Sequence, residues 1–209
     1  MTIFIFGLIL FLSVHSIGIF ADQWRAIQIN KFGNRIYKFF YSFLSLAGLA
    51  LMTIGYKQHT YIADIAIWSA PSWAWSFLVY SNLIPLILLV AAYVPHNAIK
   101  IKLKDPMTIG VIIWAATHLV YVTSLAGITL FLSFLIWGTL ELITCQKNRA
   151  IVRSKNEKVS IPMTFLTVVL GIAFWSLFAR YAYYLLVPGN TQSFFQYWFE
   201  CIRSILSIV

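Results

Sequence analysis

The side chains with the widest chemistry in this 209-residue chain are four histidines, two cysteines and six acids. His59 and His96 fall in expected loops between the apolar runs, where a solvated or structural role is expected. His15 and His118 lie inside long apolar runs. An ionisable group within a bilayer is costly and usually faces the bundle interior, so these two need a reason. On a helix, His15 shares a face with Gly7, Phe11, Gly18 and Asp22, and His118 shares one with Gly110, Trp114, Thr117 and Tyr121. Each face combines a glycine, an aromatic and an imidazole. Glycine allows close approach of a flat ligand or another helix, aromatics line an apolar planar pocket, and imidazole binds iron. Two such helices face to face would hold a haem b between the axial ligands His15 and His118, with Gly110 and Trp114 in the pocket. Interior hydrogen-bonded histidines, with glycines serving helix packing, give the same pattern. Depth weighs against the pairing. His15 is about six residues, or ~9 Å, from the cytoplasmic end of its helix, whereas His118 is about 12 residues, or ~18 Å, from its own.

Other chemistries find less support. There is no paired Cys or His metal motif, no phosphate-binding glycine loop and no Ser-His-Asp set. The acids are scattered, and only Glu141 falls in an apolar run, near its end. Proton and ion pathways place acids at mid-depth, so a coupled transporter is poorly supported. No catalytic residue can be named. Asn82 reads as an interhelical hydrogen-bonding group, and Trp24-Arg25 as a surface anchor. Cys145 and Cys201 fall on opposite sides of the membrane in the layout below, so no disulfide is expected.

The elements that must position these groups follow from composition. The chain is 61% apolar and 10% charged, against about 25% charged in soluble domains. That defines an integral membrane protein: an all-α polytopic bundle of about six transmembrane helices plus a C-terminal amphipathic helix. A span needs about 20 apolar residues. Spans are expected at residues 3–21, 39–56, 75–94 and 162–187, with Asn82 and Pro85 inside the third. The uncharged run 106–140 is too long for one span and divides into two at a turn near 123–127. Asp105 suits an N-cap and Pro106 the first helical position. Trp68, Trp73 and Trp75 read as interfacial anchors. Residues 193–209 carry a narrow polar stripe on an apolar body. The first span lacks a preceding basic segment, so it reads as an uncleaved span. Three alternate loops hold twelve of the fifteen basic residues. The net charge of +9 therefore reflects orientation and lipid headgroups, not nucleic acid. The positive-inside rule places those loops in the cytoplasm and both termini outside.

Val14-His15-Ser16, Trp24-Arg25, Tyr37, Tyr41-Ser42, Ala91-Ala92-Tyr93-Val94-Pro95 with Asn97, and Pro106-Met107 with Gly110, Trp114 and His118-Leu119 together resemble the NnrU family of bacterial membrane proteins. The resemblance runs from about residue 8 to 142, which makes 1–142 an NnrU-like membrane domain of five spans. Residues 143–209 then hold a basic cytoplasmic loop, the sixth span and the amphipathic tail of the same bundle, and the last ~60 read as lineage-specific. The family implies an inner-membrane location and a link to nitrate, nitrite and nitric oxide metabolism (denitrification). It is similar to 15-cis-zeta-carotene isomerase, a membrane haem b protein whose two ligand histidines fall by resemblance on His15 and His118. A bis-histidine iron would transfer electrons or sense redox state, and isomerase-like chemistry needs one histidine to leave. The implied partners are the lipid bilayer and either a redox protein or an apolar small molecule. The family often has His-Pro where this chain has Asp105-Pro106.

Overall fold

The computed structural model describes residues 1–63, 66–151 and 158–186, and their side chains except at 60–63, 145–151 and 180–186. Nine helices run through the described residues: α1 (Thr2–Phe20), α2 (Asp22–Phe32), α3 (Asn34–Ala63), α4 (Ala74–Ser81), α5 (Leu83–Tyr93), α6 (Ala98–Leu103), α7 (Pro106–Tyr121), α8 (Leu125–Ile151) and α9 (Ile161–Leu186). Five segments are long and apolar enough to cross a membrane: Thr2–Phe20, Asn34–His59, Ala74–Tyr93, Leu125–Thr144 and Ile161–Ala179. The remaining apolar helix, α7, has 16 residues and reaches only about 24 Å. Phe6, Ile9, Phe20, Phe39, Leu46 and Phe165 stand 60–74% exposed. Water would not tolerate so much outward carbon; lipid does. The protein is an integral membrane helical protein.

Several segments differ from the expectation. The first basic loop is largely the helix α2, and Arg35 and Lys38 already belong to α3. His59, expected in a loop, lies in α3, and no glycine or proline falls between Lys57 and the end of that helix at Ala63. The third span breaks after Ser81. Pro85 has no N–H and its ring crowds the carbonyl four residues back, which is that of Ser81. The basic loop at 100–104 contains the short α6, and the fifth loop is helical as far as Ile151. Cys201 and the tail lie outside the described residues, as does the side chain of Cys145.

The chain forms two compact units. The first joins Met1–Leu78 with Val111–Asn156 and the second joins Val79–Gly110 with Glu157–Val209. In the first unit, α1 and α3 pack antiparallel, backbone on backbone. A Cβ on Gly7 would overlap Met52, and one on Gly55 would overlap Phe4. The close approach that Gly7 permits is therefore taken by a helix. Phe4, Leu8, Met52, Ala115, Ala126, Phe131 and Phe134 form the core of this unit. The turn between α7 and α8 is pinned by the chain after α3: Ile67 N–H donates to Thr123 O (2.8 Å) and Trp68 Nε1 to Val122 O (2.9 Å). Ser124 Oγ accepts from Gly127 N–H at the start of α8 (3.2 Å).

In the second unit, α5 and α9 pack antiparallel, with Gly171 against Ile87 and Trp175 Nε1 donating to Val79 O at 2.9 Å. Asn97 is fully buried and clamps the turn into α6. Its amide donates to Ala91 O (2.9 Å) and Val94 O (2.6 Å), and its Oδ1 accepts from Lys100 N–H (2.8 Å). His96 has φ 56° in this turn, and its carbonyl accepts from Ser160 N–H at the start of α9.

Candidate functional site

The start of α7 is as its sequence requires. Asp105 accepts from Thr108 N–H (3.2 Å) and Thr108 Oγ1 (3.0 Å), with Pro106 first in the helix. Three turns on, His118 Nδ1 lies 2.8 Å from Trp114 O. On α1, His15 Nδ1 lies 2.8 Å from Phe11 O. A carbonyl only accepts, so in both rings Nδ1 carries a hydrogen, which in the neutral imidazole leaves the lone pair on Nε2. Neither Nε2 has a hydrogen bond among the described residues. Both histidines are therefore pinned in the tautomer that ligates a metal through Nε2, the arrangement that backbone carbonyls impose on metal-bound histidines.

The two rings lie in the same unit but in different surroundings. His118 stacks on Phe131 of α8 (4.5 Å between centroids) and leans on Trp114 (5.0 Å). His15 stacks on Phe11 (4.1 Å) and meets Tyr41 of α3 (5.5 Å) and Trp137 of α8 (6.0 Å, perpendicular). Tyr41 is within electrostatic reach of Tyr37, Glu141 and Arg25. Trp137 Nε1 is buried with no hydrogen-bond partner among the described residues. So His118 has a carbon sleeve, and His15 has polar groups within a turn of it. The sequence pattern marks Glu141 as the one acid within an apolar run, near its end, but does not single out Trp137. One signal was available: Trp137 and Glu141 are four apart, on one face of α8.

Between the histidines the interval is filled. Phe134 lies 5.7 Å from Phe11 and 5.6 Å from Trp114. His15 touches Trp137 and His118 touches Phe131, six positions apart on α8, which is about 9 Å of rise. This matches the difference in depth that the sequence implied. Of the other expected pocket residues, Trp114 faces the core beside His118. Gly110 belongs to the other unit, where a Cβ would stand 3.2 Å from Pro85 O and 3.3 Å from Leu88 Cβ.

Haem suits this donor set in kind: two imidazoles among aromatic rings, neither with a hydrogen bond at Nε2 among the described residues. It does not suit the spacing. Two ligands of one iron, at about 2 Å each, stand about 4 Å apart, which the present packing around Phe134 does not allow. Among the described residues, no three His, Cys, Asp or Glu gather that could hold a bare metal ion.

The fold and these residues define a class: a polytopic helical membrane protein with an interior histidine on each of two helices of one packed unit. Residues 3–188 match the family model described as NnrU protein, and the chain belongs to the NnrU family. The match extends past the expected limit of residue 142, so α9 is part of the family's fold and not a lineage-specific addition. No curated protein and no solved structure matches the chain.

Proposed function

We propose that this NnrU-family protein binds haem b through Nε2 of His15 and His118 and serves redox metabolism linked to nitrogen oxides. The observation that supports the reading is the pinning of both imidazoles at Nδ1 by their own helices. That costs nothing on metal binding and leaves a ligating atom free on each. When bound, haem would supply one-electron redox chemistry. A redox-gated isomerase of the zeta-carotene type is a narrower form of the same idea. The chain's own contribution is to hold the two tautomers and to set His118 among carbon and His15 beside Tyr41 and Trp137. Ligation of one iron by both histidines requires Phe134 to leave the interval. The basic segments at 25–38, 100–104 and 147–158 are assigned to the cytoplasmic face of the bacterial inner membrane by the positive-inside rule.

A second reading is a haem-free accessory or assembly protein with structural histidines. The filled interval between the rings favours it. Absorption spectroscopy of the purified protein separates the two. A haem spectrum that depends on His15 and His118 carries the first, and a protein that stays colourless after haem is added carries the second.

A further inference from the structure

Trp24, Tyr37 and Tyr41 were singled out in the sequence, yet the two histidines do not account for them. In the structure they converge on one cavity of about 200 Å³, walled by Val14 and Ile17 of α1, Trp24 and Gln28 of α2, and Tyr37 and Tyr41 of α3, among others. It is bounded by these three helices and is only partly enclosed. Five of its ten lining residues are aromatic, none is charged, and its surface is mostly carbon. Tyr41 also packs on His15 at 5.5 Å.

These features restrict the occupant. A charged group is excluded, because it would lose its water with no counter-charge in the walls. Aromatic walls favour a flat ring, held by offset or edge contacts. Little of the lining is polar, and among its side chains Trp24, Gln28, Tyr37 and Tyr41 carry hydrogen donors, which suits a largely apolar ring with few acceptor oxygens. The volume is below the ~300–1,000 Å³ of pockets that enclose a whole ligand. A head ring fits, and an attached apolar tail extends beyond it. We propose that this cavity binds the head of a quinone-class molecule, a neutral ring with carbonyl oxygens and an apolar tail. The ring lies next to Tyr41, one side chain from His15. The proposal does not depend on haem.

The test uses the full-length protein in detergent and a benzoquinone with a decyl tail, measured by equilibrium dialysis. Saturable binding of one molecule per chain is expected. Tyr37→Phe and Gln28→Leu keep the bulk of the walls and should each weaken binding roughly two- to tenfold, the worth of one hydrogen bond. Ile17→Trp fills the cavity and should reduce affinity at least about tenfold. Decylbenzene, which lacks the oxygens, should compete poorly. The proposal is overturned if binding is not saturable. It is equally overturned if decylbenzene or a phospholipid displaces the quinone at matched concentration, since the groove is then an acyl-chain surface. A normally stable Tyr37→Phe, Gln28→Leu double variant that binds as well as the unaltered protein also overturns it.

Discussion

Gly48 lies on α3 directly against the residue that holds His15. A Cβ placed there would stand 2.9 Å from Phe11 N, 3.0 Å from its Cα and 3.1 Å from its Cβ, where ordinary contact begins at 3.4 Å. Two of these three atoms are backbone, so no rotamer relieves the overlap. Gly48→Ala must push α1 and α3 apart by a few tenths of an ångström, and overpacking of this kind costs about 1–3 kcal/mol. The substitution also gains up to about 1 kcal/mol of helix propensity. Gly18 on α1 provides the control, because a Cβ there meets nothing within 4 Å. Gly18→Ala gains the propensity without the clash, so the difference between the two variants isolates the contact. At about 2–4 °C per kcal/mol for a chain of this size, Gly48→Ala should melt roughly 2–12 °C below Gly18→Ala in a thermal scan of detergent-purified protein. Equal melting temperatures would refute the backbone-on-backbone packing of α1 on α3.

Asn97→Ala should be among the more damaging substitutions in the second unit. It strips the partner from two carbonyls and one N–H, and an unsatisfied buried group costs about 1–3 kcal/mol. Asn97→Asp should be at least as damaging, since it keeps the acceptor for Lys100 N–H but sets a buried carboxylate against Ala91 O and Val94 O, which only accept. Denaturant unfolding ranks the three proteins, and an Asn97→Asp variant as stable as the wild type contradicts the clamp. Asp105→Ala should cost about 1 kcal/mol by removing the α7 cap, and Asp105→Asn much less. Hydrogen exchange at the first turn of α7 reads both, and equal protection in the two variants would remove the capping role.

The apolar spans were legible in the sequence because a bilayer demands long carbon-rich helices, and among the described residues all six segments are helical, the third with a break after Ser81. The Asp105-Pro106 start and the turn before Leu125 were legible as well, from local chemistry. The helices outside the apolar runs were not. α2 has no apolar face to give it a period, and its signature is electrostatic: Asp22 in the first turn and Lys31 in the last, both favourable to the helix dipole. The break after Ser81 could have been read from Pro85. The site was half legible. Intramembrane histidines announce themselves, and the depth offset between His15 and His118 followed from counting residues. The neighbours of His15 come from α3 and α8, and helix spacing does not say which helices meet. Gly110 misled for the same reason: a small residue on a face shows that something comes close, and here that is α5.

The most direct test of the central claim is the absorption spectrum of the purified protein, oxidised and reduced, beside His15→Ala and His118→Ala. The account predicts a low-spin haem b spectrum that is lost or turned high-spin in each variant. A protein that remains colourless after haem is supplied, or a spectrum unchanged by both substitutions, would contradict it.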